Sequence, residues 1–263
     1  MRTFLHILKL AILQQTTYRT ALIAGLATNF FFGLFRAAVV LALYGAQSEV
    51  NGLSLGGALT YVAMGQALIA FLMVFGTYDL MATVYSGGIG ADLIRPAPLF
   101  SLWLARDLGR ALVNLVIRGL LLVLALSLFY QLLFPADWRG WLWTALSLAL
   151  SWLVSFAWRF LVNLAAFWTP DARGIGRAAF TFSQMLSGFI IPLRLYPDWF
   201  ARLCELTPFP SMVNTSLEVY LGITGGAALW RALAPPLGWV PLPGVARPLV
   251  LRAGLRRLVI QGG

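Results

Sequence analysis

Long runs of apolar residues, each almost empty of charge, constrain this chain more than any other feature of its sequence. From Thr20 to Tyr44 the only charged residue is Arg36, and from Gly56 to Tyr78 there is none. Similar stretches cover Leu108 to Phe134, Gly140 to Trp168, Arg177 to Leu195 and Gly226 to Leu251. A bilayer core about 30 Å thick needs about 20 apolar residues per helical crossing. Lipid also demands that backbone polar groups be satisfied internally, as a helix does. Of the 263 residues, 60% are hydrophobic and 11% are charged, against about 25% charged in a soluble domain. So few charges cannot cover a surface that faces water. The pattern predicts an all-α integral membrane protein, with 1–263 as a single transmembrane domain of about six helices joined by short loops.

The basic residues predict its orientation. The net charge is +10, and Lys9 is the only lysine. Arg2, Lys9 and Arg19 precede the first run, Arg95, Arg106 and Arg110 follow the second, Arg173 and Arg177 follow the fourth, and Arg252, Arg256 and Arg257 close the chain. The alternate gaps are poorer or are offset by Glu49, Asp137, Asp198, Glu205 and Glu218. Both termini are therefore expected in the cytoplasm, in a multi-pass protein of the inner membrane. Polar residues from Gln14 to Thr17 interrupt the N-terminus, so it is not expected to be a secretory signal. Residues 1–19 read instead as an amphipathic helix at the interface, with Arg2, His6 and Lys9 opposite Phe4, Leu5, Leu8, Ala11 and Ile12.

Three further segments are informative. The gap at 79–107 contains Gly87, Gly88 and Gly90, then Asp92-Leu93-Ile94-Arg95-Pro96. The glycines allow a tight turn and Pro96 stops any short helix at Arg95. As the largest cytoplasmic feature, this loop is where a cytosolic partner would grip. The segment 187–222 is apolar and aromatic but is cut by Pro192, Pro197, Pro208 and Pro210. It suits two half-helices dipping into the outer membrane face, with Tyr196, Trp199 and Tyr220 as interfacial anchors. The last apolar stretch, 229–251, holds Pro235, Pro236, Pro241, Pro243 and Pro248. Each proline inside a helix costs about 3 kcal/mol, so a kinked or broken helix is expected there.

Polar side chains inside the runs mark a possible lined path: Asn29, Arg36, Gln66, Asn114 and Gln184, with Arg118, Arg159 and Asn163 as helix-pairing or snorkelling alternatives. Other chemistry is excluded or weak. Cys204 and His6 are the only cysteine and histidine, which leaves no metal cluster and no Ser/His/Asp arrangement. Asp79 and Asp92 have no evident partner, and the predicted spans contain no Asp or Glu. That argues against the alternative, an ion-coupled secondary transporter, and the lack of a titratable cluster argues against a lipid-modifying enzyme. The arginines lie between apolar runs rather than among exposed aromatics, so membrane lipid and not nucleic acid is the expected contact. Asn214-Thr215-Ser216 matches a glycosylation sequon, a weak three-residue pattern.

Taken in order, an interfacial helix, six spans, a loop ending Asp-Leu-Ile-Arg-Pro and a proline-cut outer segment (Ser-Gly-Phe-Ile-Ile-Pro-Leu, Tyr-Pro-Asp-Trp-Phe, Thr-Pro-Phe-Pro, Glu-Val-Tyr-Leu-Gly) resemble the type-two ATP-binding cassette (ABC) exporter permeases. The likeness is to the bacterial branch that includes daunorubicin-like and viologen exporters. It covers the chain up to about Gly222 and the basic tail; the proline-rich run departs from the unbroken sixth helix usual in the family. The resemblance implies a permease subunit that pairs with a second permease subunit, as homodimer or heterodimer, and docks on a separate ABC ATPase. It implies export of a hydrophobic or amphipathic substrate. ATP and Mg would bind the partner, since the chain has no G-x-x-x-x-G-K-[ST]; no cofactor is expected on this chain. It assigns coupling to Tyr85–Phe100, including Gly87, Gly88, Gly90, Asp92, Arg95 and Pro96, and an outer gate to Pro192, Pro197, Trp199, Pro208 and Pro210.

Overall fold

The computed structural model describes residues 2–17, 19–169, 171–224, 227–239, 253, 254 and 256. Among these, three helices are long and apolar enough to cross a bilayer: Leu22–Tyr44, Leu99–Ser127 and Trp138–Phe167. The first lies within α2 (Arg19–Tyr44), whose outer face leaves Ile23, Phe31 and Leu41 uncovered. The second joins α6 (Leu99–Val113), a π-helical turn at Asn114–Gly119 and α7 (Leu120–Ser127). The third is α8 (Trp138–Asn163) continued by a 3-10 turn to Phe167. Asp137 caps α8 by accepting from the Gly140 N–H at 2.8 Å.

The remaining elements are shorter. Before α2 lies α1 (Arg2–Thr17), which packs Phe4, Ile7 and Leu8 against Leu102 and Ala105 of α6. Gly109 makes this approach possible: a Cβ there would lie 2.7 Å from the Ala11 Cβ and 2.9 Å from the Leu8 carbonyl oxygen. The predicted apolar face of the N-terminal helix is thus partly spent on α6, while Leu5 lies outward with Arg2, His6 and Lys9. After α2, Asn51 and Gly52 turn a short hairpin, β1 (Glu49–Val50) on β2 (Leu53–Ser54).

The second predicted run does not form one helix. α3 (Leu55–Leu68) has 14 residues, about 21 Å at 1.5 Å per residue, and is buried nearly all round. From Ile69 to Gly76 the chain turns on itself, with Met73 and Gly76 at positive φ. Protein covers this irregular backbone: the Ser155 hydroxyl donates to the Leu72 carbonyl at 2.6 Å and the Val74 N–H donates to Ile69 at 3.2 Å.

The third predicted run starts earlier than Leu108. α4 (Asp79–Tyr85) and α5 (Ile89–Leu93) occupy the first part of 79–107, and α6 begins at Leu99 directly after Pro98. Arg106, Asp107 and Arg110 read as a polar gap in the sequence, but each finds an oppositely charged partner and the helix runs through them. The bilayer-length helix Leu99–Ser127 therefore includes Asp107, which the predicted run left out.

The fifth predicted run also ends early. α9 (Arg173–Leu186) stops before Gly188, whose φ of +76° suits glycine. The segment 187–222 then forms a 3-10 turn at Leu193–Leu195, α10 (Asp198–Glu205), a second 3-10 turn at Pro210–Met212 and α11 (Asn214–Tyr220). α10 leaves Trp199 and Leu203 exposed, whereas α11 is buried against α8 and α3. α12 (Ala227–Trp239) contains Pro235 and Pro236. The other expected proline breaks, at 241–248, lie outside the described residues.

A candidate translocation groove and coupling region

α2, α3 and the turn after α9 enclose a groove of about 520 Å³. Its walls are mostly apolar: Phe32, Phe35, Val39 and Leu43 of α2 face Ile190, Ile191 and Pro192 across it. Four of the five polar residues singled out from the sequence, Asn29, Arg36, Gln66 and Gln184, line this one groove. The fifth does not. Asn114 sits in the π-helical turn, 1% exposed, with its amide donating to the Arg110 carbonyl at 3.0 Å.

Arg36 is the most constrained of these side chains. Its Nη2 donates to the Phe189 carbonyl and, at 2.8 Å, to that of Ile190. Its guanidinium carbon stands 4.6 Å from the centre of the Phe189 ring. Nη1 is buried without an acceptor, and the Gln66 side-chain oxygen is buried without a donor. An unmet buried polar atom costs about 1–3 kcal/mol, so both atoms make this wall of the groove expensive to build.

Beside the groove, a buried oxygen cluster holds the outer segment. The Tyr61 hydroxyl lies 2.8 Å from both the Gly188 carbonyl oxygen and Asn214 Oδ1, and the Leu193 N–H donates to the same Oδ1 at 3.2 Å. Asn214 is thus buried and engaged, which removes the sequon as a modification site. Tyr220 is likewise buried, edge-on to Trp141, rather than an interfacial anchor. Of the predicted gate residues, Pro192 lines the groove, Pro197 precedes α10, Trp199 is 70% exposed on α10, Pro208 is half-buried and Pro210 opens the second 3-10 turn.

On the far side of α6, ion pairs fasten the 79–98 region. Arg106 holds Asp92 with two bonds of 2.7 and 2.8 Å, and Arg110 holds Asp79 at 2.5 Å. Asp79 and Asp92 are therefore partnered, contrary to the sequence reading. One turn of α6 also sends Asp107 the other way. Arg159 of α8 donates to both its oxygens, at 2.6 and 3.0 Å, and Trp152 adds a bond of 2.9 Å. Of the predicted coupling residues, Gly87 makes the expected tight turn with φ +75°. Gly88 precedes α5 and Gly90 lies within it. Asp92 is buried, so it anchors the loop instead of offering a grip, while Arg95 is exposed beside the turn at Pro96.

A family model described as ABC-2 family transporter protein matches residues 28–262. The chain belongs to the ABC-2 transporter family. No curated protein and no solved structure matches it significantly. An ABC-2 permease is a membrane component of an ABC transporter and generally works with an ABC ATPase rather than hydrolysing ATP itself. That membership weighs against the ion-coupled alternative. Asp107, a carboxylate within a bilayer-length helix, has both oxygens committed to Arg159 and Trp152.

In this ABC-2 permease, sequence reasoning missed the residues that fasten the 79–98 region to α6. Arg106 and Arg110 read only as topology markers, yet they tie α5 and α4 to the helix that continues through the π-helical turn. Their spacing, on either side of Asp107 in adjacent turns, was the available clue. Ile94, within the expected coupling element, is 86% exposed beside Arg95.

Proposed function

We propose that this ABC-2 permease is the membrane-spanning subunit of an ATP-driven exporter that moves a hydrophobic or amphipathic substrate outward across the cytoplasmic membrane. The observation that carries this reading is the groove, in which polar residues from α2, α3 and α9 converge on an apolar lining. Small-molecule sites commonly have this character. The finer parts of the reading follow the sequence pattern and the family. They are a bacterial exporter of the daunorubicin or viologen type, six crossings with both termini inside, α1 at the interface, and α10 and α11 re-entering the outer face as the gate. A second permease subunit or lipid would cover the apolar outer face of α2, and ATP with Mg would bind a separate ATPase.

Coupling is assigned to the 79–98 region. Tyr85, Ile94 and Arg95 face outward there, while Asp79 and Asp92 transmit their displacement to α6 through Arg110 and Arg106. The test is reconstitution of the full chain with its ATPase partner. Arg95→Glu is expected to reduce substrate-stimulated ATP hydrolysis at least fivefold while the permease still folds. If ATPase binding survives deletion of residues 86–95, the coupling assignment is wrong.

A further inference from the structure

The only cation lining the groove among the described residues is short of a counter-charge. Arg159, also in a bilayer-length helix, has Asp107 on both nitrogens. Arg106, Arg110 and Arg194 have Asp92, Asp79 and Glu218. Arg36 has only neutral partners among the described residues: two carbonyl oxygens and an aromatic face. Carbonyls and a ring solvate a guanidinium without cancelling its charge. In an apolar groove, where the dielectric is low, that residual charge acts strongly on whatever enters. Nη1 faces Gly65 of α3 and lacks an acceptor there, so nothing on that side offsets the charge either.

We infer that the groove takes an amphiphile with an acidic head, the head against Arg36 and the tail along Phe32, Phe35, Val39 and Ile190. This rests on the groove being the substrate site. Charge complementarity selects this occupant: a cationic amphiphile meets an unneutralised guanidinium, and a neutral one gains only from its tail. A single charge-assisted bond in such a setting is worth about tenfold in affinity or more.

The test uses the purified full-length chain in phosphatidylcholine nanodiscs, with tritiated dodecyl phosphate as the probe. Unlabelled dodecyl phosphate, dodecanol, dodecyltrimethylammonium and inorganic phosphate compete with it. The expected result is that dodecyl phosphate competes about tenfold better than dodecanol, that the trimethylammonium compound is weaker still, and that inorganic phosphate does not compete. Arg36→Gln should erase the tenfold preference, so that dodecyl phosphate and dodecanol compete equally within that variant, while Arg36→Lys retains most of it. Because Arg36 also ties α2 to Phe189 and Ile190, Phe35→Ala serves as a second variant at an exposed position; it should weaken dodecyl phosphate and dodecanol by the same factor. Failure of wild type to bind the probe, equal binding of the three amphiphiles, competition by inorganic phosphate, or a phosphate preference that survives Arg36→Gln would each overturn the inference. Val39→Trp separates the two readings. If it leaves dodecanol binding untouched, the groove is not the substrate site; if it blocks dodecanol but wild type shows no phosphate preference, only the acidic head is wrong.

Discussion

Asp107→Asn removes one charge from the most buried ion pair among the described residues and should be the most damaging single polar substitution at this depth. Asp107 Oδ1 accepts from Arg159 Nη1, while Oδ2 accepts from Arg159 Nη2 and from the Trp152 indole N–H. An asparagine has one acceptor oxygen and one NH2 group. Its best orientation places the oxygen at the Oδ2 position, keeping two bonds and setting its NH2 against Arg159 Nη1. One charge-assisted bond is lost, and the Arg159 side chain, 3% exposed, is left as an uncompensated cation. Breaking a buried pair in this way costs about 3–5 kcal/mol. That corresponds to a fall in melting temperature of roughly 6–20 °C for a chain of this size.

Thermal melting followed by fluorescence-detected size exclusion in detergent measures the change. The double variant Asp107→Asn/Arg159→Met removes the orphaned charge and should recover most of the loss, because the uncompensated buried cation is the main cost of breaking the pair. The cycle of two single variants and the double therefore carries a coupling of about 2 kcal/mol or more. A melting temperature for Asp107→Asn within 1 °C of wild type, or strictly additive single effects, refutes the reasoning.

Two further outcomes test the packing. Gly109→Ala drives a methyl into the backbone of α1 at Leu8 and Ile12, and should cost about 1–3 kcal/mol, read as a lower melting temperature with α1 more open to proteolysis; an unchanged melt would mean that α1 does not sit on α6. Cys204 is fully buried in the outer segment, and burial, reinforced by Glu205, pushes its thiol above the usual range. Its thiolate fraction at neutral pH is thus reduced, and reactivity grows only as pH rises toward that higher value. Maleimide should leave the folded protein nearly unlabelled at pH 7 and label it fully in dodecyl sulfate, and fast labelling of the folded chain would contradict the described burial.

Several features were legible in the sequence. Composition and the first, third and fourth apolar runs imposed the all-α membrane class, because hydrocarbon tolerates few charges and no unpaired backbone whatever the tertiary arrangement. Residue type also marked Arg36, Gln66, Asn29 and Gln184, since burying such groups in lipid is costly enough to demand a reason. Their meeting at one groove was not legible: they come from α2, α3 and α9, and only the turn after Gly188 brings the last of these to the first.

Where helices stop was decided by contacts from afar. The second run breaks after Leu68 because Ser155 and neighbouring protein groups satisfy the freed backbone, and no local residue announces that. Charge misled in the opposite direction. Arg106, Asp107 and Arg110 looked like a water-facing gap, yet Asp92, Arg159 and Asp79 lie where each of them needs an opposite charge. A sequence records which residues are expensive to bury; only the folded chain supplies the partners that make the burial tolerable.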